Sequence, residues 1–403
     1  MPTPPSRAAL VFVFITVVLD MMALGVSLPV LPRLVVEFLG GDTRRAAEIY
    51  GIFGTVWALM QFVFAPVLGA LSDRFGRRPI IVLSNLGLGL DYVLMAVAPT
   101  LGWLFVGRVI SGITASSFST AGAYVADVTP PERRAAGFGM LGAAFGLGFI
   151  VGPALGGLLG VIDPRLPFWV AAAFSLLNFL YGVFVLPESL SPERRARLAW
   201  RRANPVGALV LLRSAPTLFG LAVVHFLHRL AHDVLPSMFV IYTSYRYGWD
   251  QRTVGLTLGA VGLTTAGVQA GLVRPAVARL GERAVLLAAL TLGAVGFAIY
   301  GVAPTSLLFW LGLPVVALWG LSGPALQGLA TRRVDASEQG RLQGALASLM
   351  GIAGMVAPAL FSFIFAALIT PLPGAPFLLA ALLLLAAMLI AAVVTSEPVD
   401  AVR

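Results

Sequence analysis

The sequence predicts an all-α membrane protein of 12 transmembrane helices arranged as two pseudo-symmetric six-helix bundles. Composition is the first reason: 59% of the 403 residues are hydrophobic and 11% are charged, with a mean hydropathy of +0.93. Ordinary soluble domains run at about 25% charged, so this much apolar surface calls for a bilayer as solvent. Spacing is the second reason, because apolar runs of roughly the 20 residues that cross hydrocarbon recur along the chain. The third is an internal repeat, in which the second half restates landmarks of the first.

In order, the runs are Ala8–Val36, Ile49–Leu71, Pro79–Val97, Gly102–Val125, Ala136–Gly160, Pro167–Leu186, Pro216–Tyr242, Val254–Val273, Ala284–Val302, Leu307–Leu329, Leu342–Ile369 and Pro376–Val394. The first is too long for a signal-peptide core and reads as a transmembrane helix. Strands of a membrane barrel would be about ten residues long with strict alternation, which these runs lack. The widest polar gap divides them six and six, giving an N-terminal bundle (1–186), a cytoplasmic linker (187–215) and a C-terminal bundle (216–403). Within the gap, Arg197-Leu-Ala-Trp200-Arg-Arg202 reads as a solvated linker, with contact to the anionic inner leaflet as the alternative.

All 27 basic residues are arginine, and the formal net charge is +9. They sit in short links between apolar runs rather than in one patch, which argues against a nucleic-acid partner. The absence of cysteine excludes disulfides and thiolate metal sites. With the N-terminus placed in the cytoplasm, loop arginines crowd the inner side, and only Arg33, Arg44, Arg45, Arg165, Arg246 and Arg252 fall outside. The positive-inside rule therefore predicts that both termini are cytoplasmic.

A shift of 205 residues brings Gly76 onto Gly281, Ala98-Pro99-Thr100 onto Ala303-Pro304-Thr305, Gly139 onto Gly344 and Pro153 onto Pro358. Two parallel repeats on one chain are the architecture of an alternating-access carrier. The charged turn Gly69 to Pro79 has a degenerate twin at Arg274 to Arg283. Gly69, Asp73, Arg74, Gly76, Arg77 and Arg78 are read as a cytoplasmic gate. Asp73, Arg77 and Arg78 are expected to pair with Asp127, Glu132 and Arg133 in the next inner loop.

A charge at the centre of a membrane helix costs about 2.5 kcal/mol or more, so each one needs a reason. Asp20 lies 13 residues beyond Arg7, about 20 Å at the helical rise. Gly25, Pro29 and Pro32 loosen the helix beyond it. Asp20 is a candidate for binding substrate or proton, the alternative being an acid satisfied by a neighbouring helix. Asp91 and Arg108 are equidistant from the turn at Pro99–Thr100, so they share a depth on adjacent antiparallel helices. They read either as a structural ion pair or as a proton-coupling pair, and Arg108 can instead meet Asp20.

The seventh run holds all three histidines. His225, His228 and His232 share one helix face at i, i+3, i+7, while Arg229 and Asp233 form an i, i+4 pair. Pro236 is expected to break the helix just beyond. Histidine titrates where a proton gradient operates. The proton-coupling candidates here are therefore His228, His232 and Asp233, with His225 and His228 as substrate contacts. Satisfied cavity histidines are the alternative, and no metal site is expected. Gln61 is a further substrate-binding candidate. Gly148, Gly152, Gly156 and Gly157, with Pro153, are read as a packing hinge between repeats.

Gly69-Ala-Leu-Ser-Asp73-Arg74-Phe-Gly76-Arg77-Arg78-Pro79 resembles the signature loop between helices 2 and 3 of the major facilitator superfamily. Gly107-Arg108-Val-Ile-Ser-Gly112 resembles the helix 4 motif of its drug/proton antiporters. Gly148-Phe-Ile-Val-Gly152-Pro153-Ala-Leu-Gly156-Gly157 is similar to their helix 5 motif. The N-terminal half is most similar to the tetracycline-efflux antiporters, through Leu59-Met-Gln61 to Pro66, Leu90-Asp91-Tyr92, Gly112-Ile-Thr114 and Phe145-Gly-Leu-Gly148. The C-terminal half departs from them: positions that carry a histidine in helix 8 and an acid in helix 9 fall near Thr265 and Gly293, both uncharged.

The resemblance implies a monomeric bacterial inner-membrane carrier exporting a drug-like small molecule in exchange for protons. Its gate loop would lock the inside closed when the carrier faces outward. No cofactor is expected beyond the proton as coupling ion, and no nucleotide-binding loop is present to support ATP-driven transport. A proton symporter for an organic nutrient and a non-transporting membrane scaffold are the alternatives. The buried Asp20, Asp91 and Arg108 weigh against the scaffold.

Overall fold

The computed structural model describes residues 7–115, 117–130, 133–195, 212, 216–334 and 338–396. Glu132 and the arginine-rich stretch 197–202 lie outside the described residues. In the N-terminal half the helices are α1 (Arg7–Ser27), α2 (Leu31–Phe38), α3 (Thr43–Phe75), α4 (Arg77–Val97), α5 (Leu101–Thr114), α6 (Ser117–Val128), α7 (Arg134–Ile162) and α8 (Leu166–Phe184). The C-terminal half adds α9 (Pro216–His232), α10 (Val234–Tyr247), α11 (Gln251–Gly271), α12 (Val273–Val302), α13 (Ser306–Leu318), α14 (Ser322–Thr331), α15 (Gln339–Leu368) and α16 (Ala375–Val394). No strand occurs among the described residues.

Among the described residues, eleven stretches are each long and apolar enough to cross a membrane. The expected fourth span, Gly102–Val125, is divided into α5 and α6, of 14 and 12 residues. At that division the side chain of Gln61 donates to the Ala115 carbonyl at 3.3 Å, supplying a partner that the interrupted helix lacks. The first span is likewise α1 and α2, separated by a turn at residues 28–30 that contains Pro29. Proline has no N–H to give and its ring crowds the preceding turn, so the helix stops at Ser27.

The break in the seventh span falls at Asp233, not at Pro236. Asp233 has φ −73° and ψ −2°, and Pro236 sits in the first turn of α10, where its missing N–H has no intrahelical partner to lose. Ser237 Oγ donates to the Asp233 carbonyl at 2.6 Å, closing the gap.

The repeat is written in the backbone. Gly76 and Gly281, 205 positions apart, take φ/ψ of 110°/159° and 78°/159°. Only glycine adopts such angles freely. Ala98 and Ala303 match at −54°/120° and −54°/118°, and Pro153 and Pro358 both lie inside continuous helices.

The chain forms two compact units whose boundaries differ from the sequence halves. The first comprises Met1–Gly41, Val56–Ala203 and Trp249–Gly262; the second comprises Asp42–Thr55, Asn204–Gly248 and Leu263–Arg403. In the first unit α1 packs on α7 and α8, and α4 on α8. Its core is built from Val13, Val17, Ile81, Tyr124 and Leu141, among others. In the second, α16 packs on α12 and α9.

Glycine contacts attach the segments that each unit takes from the other half. A Cβ on Gly157 would lie 2.8 Å from Gly255 Cα, and one on Gly54 would lie 2.7 Å from Pro358 Cβ. Thr55 Oγ1 adds a hydrogen bond to the Met355 carbonyl at 3.0 Å.

The glycines read as a packing hinge lie at close backbone contacts. Gly148, Gly152 and Gly156 press against Met21, Gly25 and Val26 of α1, and only Gly157 faces the 249–262 segment. The helix α7 runs unbroken through Pro153. Missing side chains let the backbones of α1 and α7 touch, as small residues do in membrane bundles.

Candidate functional site

Two polar clusters lie inside apolar helices, one in each unit. In the first, Asp20 is 5% exposed and accepts a hydrogen bond from Asn178 Nδ2 at 2.7 Å. The same nitrogen donates to the Thr16 carbonyl at 2.9 Å, so α8 supplies the polar partner that α1 requires. Arg108, the alternative partner for Asp20, has its guanidinium over the ring of Trp57.

Asp91 is 1% exposed, and neither of its carboxylate oxygens has a hydrogen-bond partner among the described residues. The expected close pair with Arg108 is not formed. The Arg108 guanidinium sits over the ring of Trp57, 5.4 Å from the centroid. A cation over an indole face is stabilised by the ring quadrupole, which holds Arg108 away from a contact ion pair. Trp57 is itself fixed by Nε1 donating to Ser111 Oγ at 3.2 Å. Gln61, one turn beyond Trp57, spends its amide nitrogen on the α5–α6 division.

In the second unit the cluster centres on Trp319. The rings of His228 and His232 lie 4.8 Å and 5.6 Å from that indole, and His228 Nε2 is 2.8 Å from Ser322 Oγ. Asp233 receives Arg229 Nε at 3.1 Å and Nη2 at 3.0 Å, and His232 Nδ1 lies 3.3 Å from it. The i, i+4 pairing expected of Arg229 and Asp233 is therefore present. His225 is half-buried one turn earlier and joins neither indole contact among the described residues.

In the charged turn, Arg77 bonds Asp73, Ser72 Oγ at 2.7 Å and Asp127 Oδ2 at 3.0 Å. Arg78 does not join Asp127; it donates to the carbonyls of Gly182 and Val183 at the end of α8. Those last carbonyls of a helix have no intrahelical donor, which gives a guanidinium beside them a stronger claim than a loop carboxylate. Glu188 accepts the backbone N–H of Arg77 at 2.9 Å, and a Cβ on Gly76 would collide with the Glu188 carboxylate. Arg74 lies over Phe75, and Gly69 has no atom within 4 Å of where a Cβ would stand.

Asn178, Trp57, Trp319, Ser322 and Glu188 complete these clusters, and little in the sequence announces them. Asn178 stands out only as an amide in an apolar run. The others have no one-dimensional signal, because partners on separate helices are paired by packing.

A family model described as Major Facilitator Superfamily matches residues 13–273 and 221–402. The tetracycline resistance protein, class C, of Escherichia coli is 38% identical over 381 residues, covering 94% of this chain and 95% of that protein. The class E protein of Escherichia coli is 39% identical over 363 residues, 89% and 87% of the two chains. Among solved structures, the human organic anion transporter MFSD10 (TETRAN) superposes with a TM-score of 0.72 at 26% identity. That match covers 96% of this chain and 100% of the other.

Proposed function

The chain belongs to the major facilitator superfamily, and from that premise we propose that it exports tetracycline-type molecules across a bacterial inner membrane in exchange for protons. It acts as a monomer with both termini in the cytoplasm. The observation that carries the coupling is Asp91, a buried carboxylate without a hydrogen-bond partner among the described residues, facing the charge of Arg108. A carboxylate so placed is stabilised chiefly by that cation. Arg108 rests on Trp57 in this structure; ionised Asp91 draws it off that ring, and protonation removes the attraction and returns it there. Uptake and release of one proton at Asp91 thereby changes the arrangement of α4 and α5.

Asp20, held by Asn178, offers an anionic contact for a substrate cation or a second proton site. The imidazoles of His228 and His232, set on Trp319, and the carboxylate of Asp233 form the polar face that the second unit offers. Gly293, one of the two positions where the tetracycline-efflux antiporters carry a charged or titratable group, is against Trp319. The imidazoles of His228 and His232 thus share the indole that Gly293 meets. His225 and Gln61 are secondary substrate contacts, Gln61 through its carbonyl oxygen.

The reading is tested by expression in a pump-deficient bacterium challenged with a drug panel that includes tetracycline. Raised resistance to tetracycline is expected, lost in Asp91→Asn. Resistance to nothing, with proton-linked accumulation of an organic nutrient, would replace export by symport. His228→Gln and His232→Gln are each expected to abolish proton-driven transport. Unchanged antiport in both would remove the imidazoles from the coupling path.

A further inference from the structure

The two repeats keep one ion pair in common and reverse its charges. The 205-residue shift carries Arg77 onto Glu282 and Asp127 onto Arg332. In the first unit Arg77 Nε is 3.0 Å from Asp127 Oδ2, and in the second Arg332 Nη2 is 3.0 Å from Glu282 Oε1. Both pairs join the same elements. One partner follows the positive-φ glycine, Gly76 or Gly281, and the other stands at the C-terminal end of α6 or α14. The adjacent arginines correspond too: Arg78 caps the end of α8, and Arg283 donates to the Ala392 carbonyl near the end of α16 at 3.2 Å.

Helix dipoles distinguish the two pairs. A helix N-terminus is partially positive and a C-terminus partially negative. Arg77 opens α4 and Asp127 is the next-to-last residue of α6, so each meets the unfavourable pole. Glu282 opens the helical run beyond Gly281 and Arg332 is the C-cap of α14, so each meets the favourable one. The first pair needs Ser72 and Asp73 as additional partners for Arg77. The second has a fitted seat: a Cβ on Gly328 would stand 2.5 Å from Glu282 Oε1. The Glu282 side chain is 16% exposed there, against 65% for Arg332.

We propose that Glu282 and Arg332 form a second latch of this carrier, the charge-reversed twin of Arg77–Asp127. Agreement with the helix dipoles makes it the firm member, and the dipole-opposed Arg77–Asp127 pair is the one that yields during the cycle. Glu282 and Arg332 are positioning residues that hold α12 to α14. The latch's part in turnover rests on the export reading above; the pairing does not.

The chain has no cysteine, so a single thiol can report on each latch in the purified protein. Ala330→Cys lies in α14, two residues before Arg332, and Val125→Cys occupies the twin position in α6; the native residues are 3% and 0% exposed. Glu282→Gln and Arg332→Gln are each expected to speed maleimide labelling at position 330 about two- to fivefold, the range of a part-exposed ion pair. The double variant Glu282→Arg/Arg332→Glu re-forms the pair against the dipoles and labels at a rate between parent and single variants. With all charges intact, position 125 labels faster than position 330.

In vesicles the single variants lower Vmax for tetracycline with KM unchanged, and the double variant recovers part of it. Parent-rate labelling in both single variants, or a double variant faster than either, would overturn the pairing. Slower labelling at 125 than at 330 would overturn the assignment of the yielding pair, and an unmoved Vmax would overturn the latch. A parent chain that transports no tetracycline, with the labelling order as expected, would retire the export reading and leave the pairing standing.

Discussion

Asp20 and Asn178 form a fully buried polar contact inside the first unit, and its consequence is measurable. Asn178→Leu removes the amide that donates to both Asp20 and the Thr16 carbonyl. Removing a donor from buried acceptors costs about 1–3 kcal/mol, so the purified protein should unfold at a lower temperature, and Asn178→Asp should be worse because two carboxylates would then meet. Glycines in the charged turn separate in the same way. Gly69→Ala is expected to leave expression and folding intact, having open space around it, whereas Gly76→Ala meets both a φ of +110° and the Glu188 carboxylate. The sequence exposes Asp20, Asp91 and Arg108 because charge in an apolar run is conspicuous. It conceals that Arg108 rests on Trp57, since an aromatic in such a run looks like any other apolar residue.

At the scale of elements, the α1–α7 contact is set by absent side chains. Gly156→Leu should force the two backbones apart and abolish a monodisperse folded peak in gel filtration, while Gly139→Ala, with nothing within 4 Å, should not. Asp250 begins α11 by accepting the Thr253 N–H at 2.8 Å. Its loss in Asp250→Ala should cost about 1 kcal/mol, as for other N-caps. Bonds from the side chain and backbone of Thr253 hold this carboxylate below its usual range. The contribution is thus present above the unfolded pKa of about 3.9 and is lost as pH falls through the lower folded value. A thermal-melt series from pH 6 to pH 2.5 should show Asp250→Ala converging on the parent at the acid end.

Helix existence was legible because bilayer thickness fixes run length. Helix interruption was less so. Pro29 ends α1 in keeping with its local chemistry, but the break at Asp233 and the division of α5 from α6 depend on Ser237 and Gln61 satisfying freed carbonyls.

For the whole molecule, the 205-residue repeat reaches the backbone angles of Gly76 and Gly281 and the caps at Arg78 and Arg283. Its landmarks were readable because glycine and proline constrain φ and ψ wherever they stand. The exchange of segments 42–55 and 249–262 between compact units was not readable, since it rests on glycine contacts such as Gly54 with Pro358 that no periodicity announces. The same holds for the α9 cluster: spacing put three histidines on one face, and only packing supplied Trp319.

The central claim is export of a tetracycline-type molecule coupled to a proton at Asp91. Inside-out vesicles carrying the chain, energised to an acidic lumen, test it most directly. Adding tetracycline should release protons from the lumen, and Asp91→Asn should bind tetracycline yet release none. Proton release that persists undiminished in Asp91→Asn, or a parent chain that releases no protons with any drug in the panel, would contradict it.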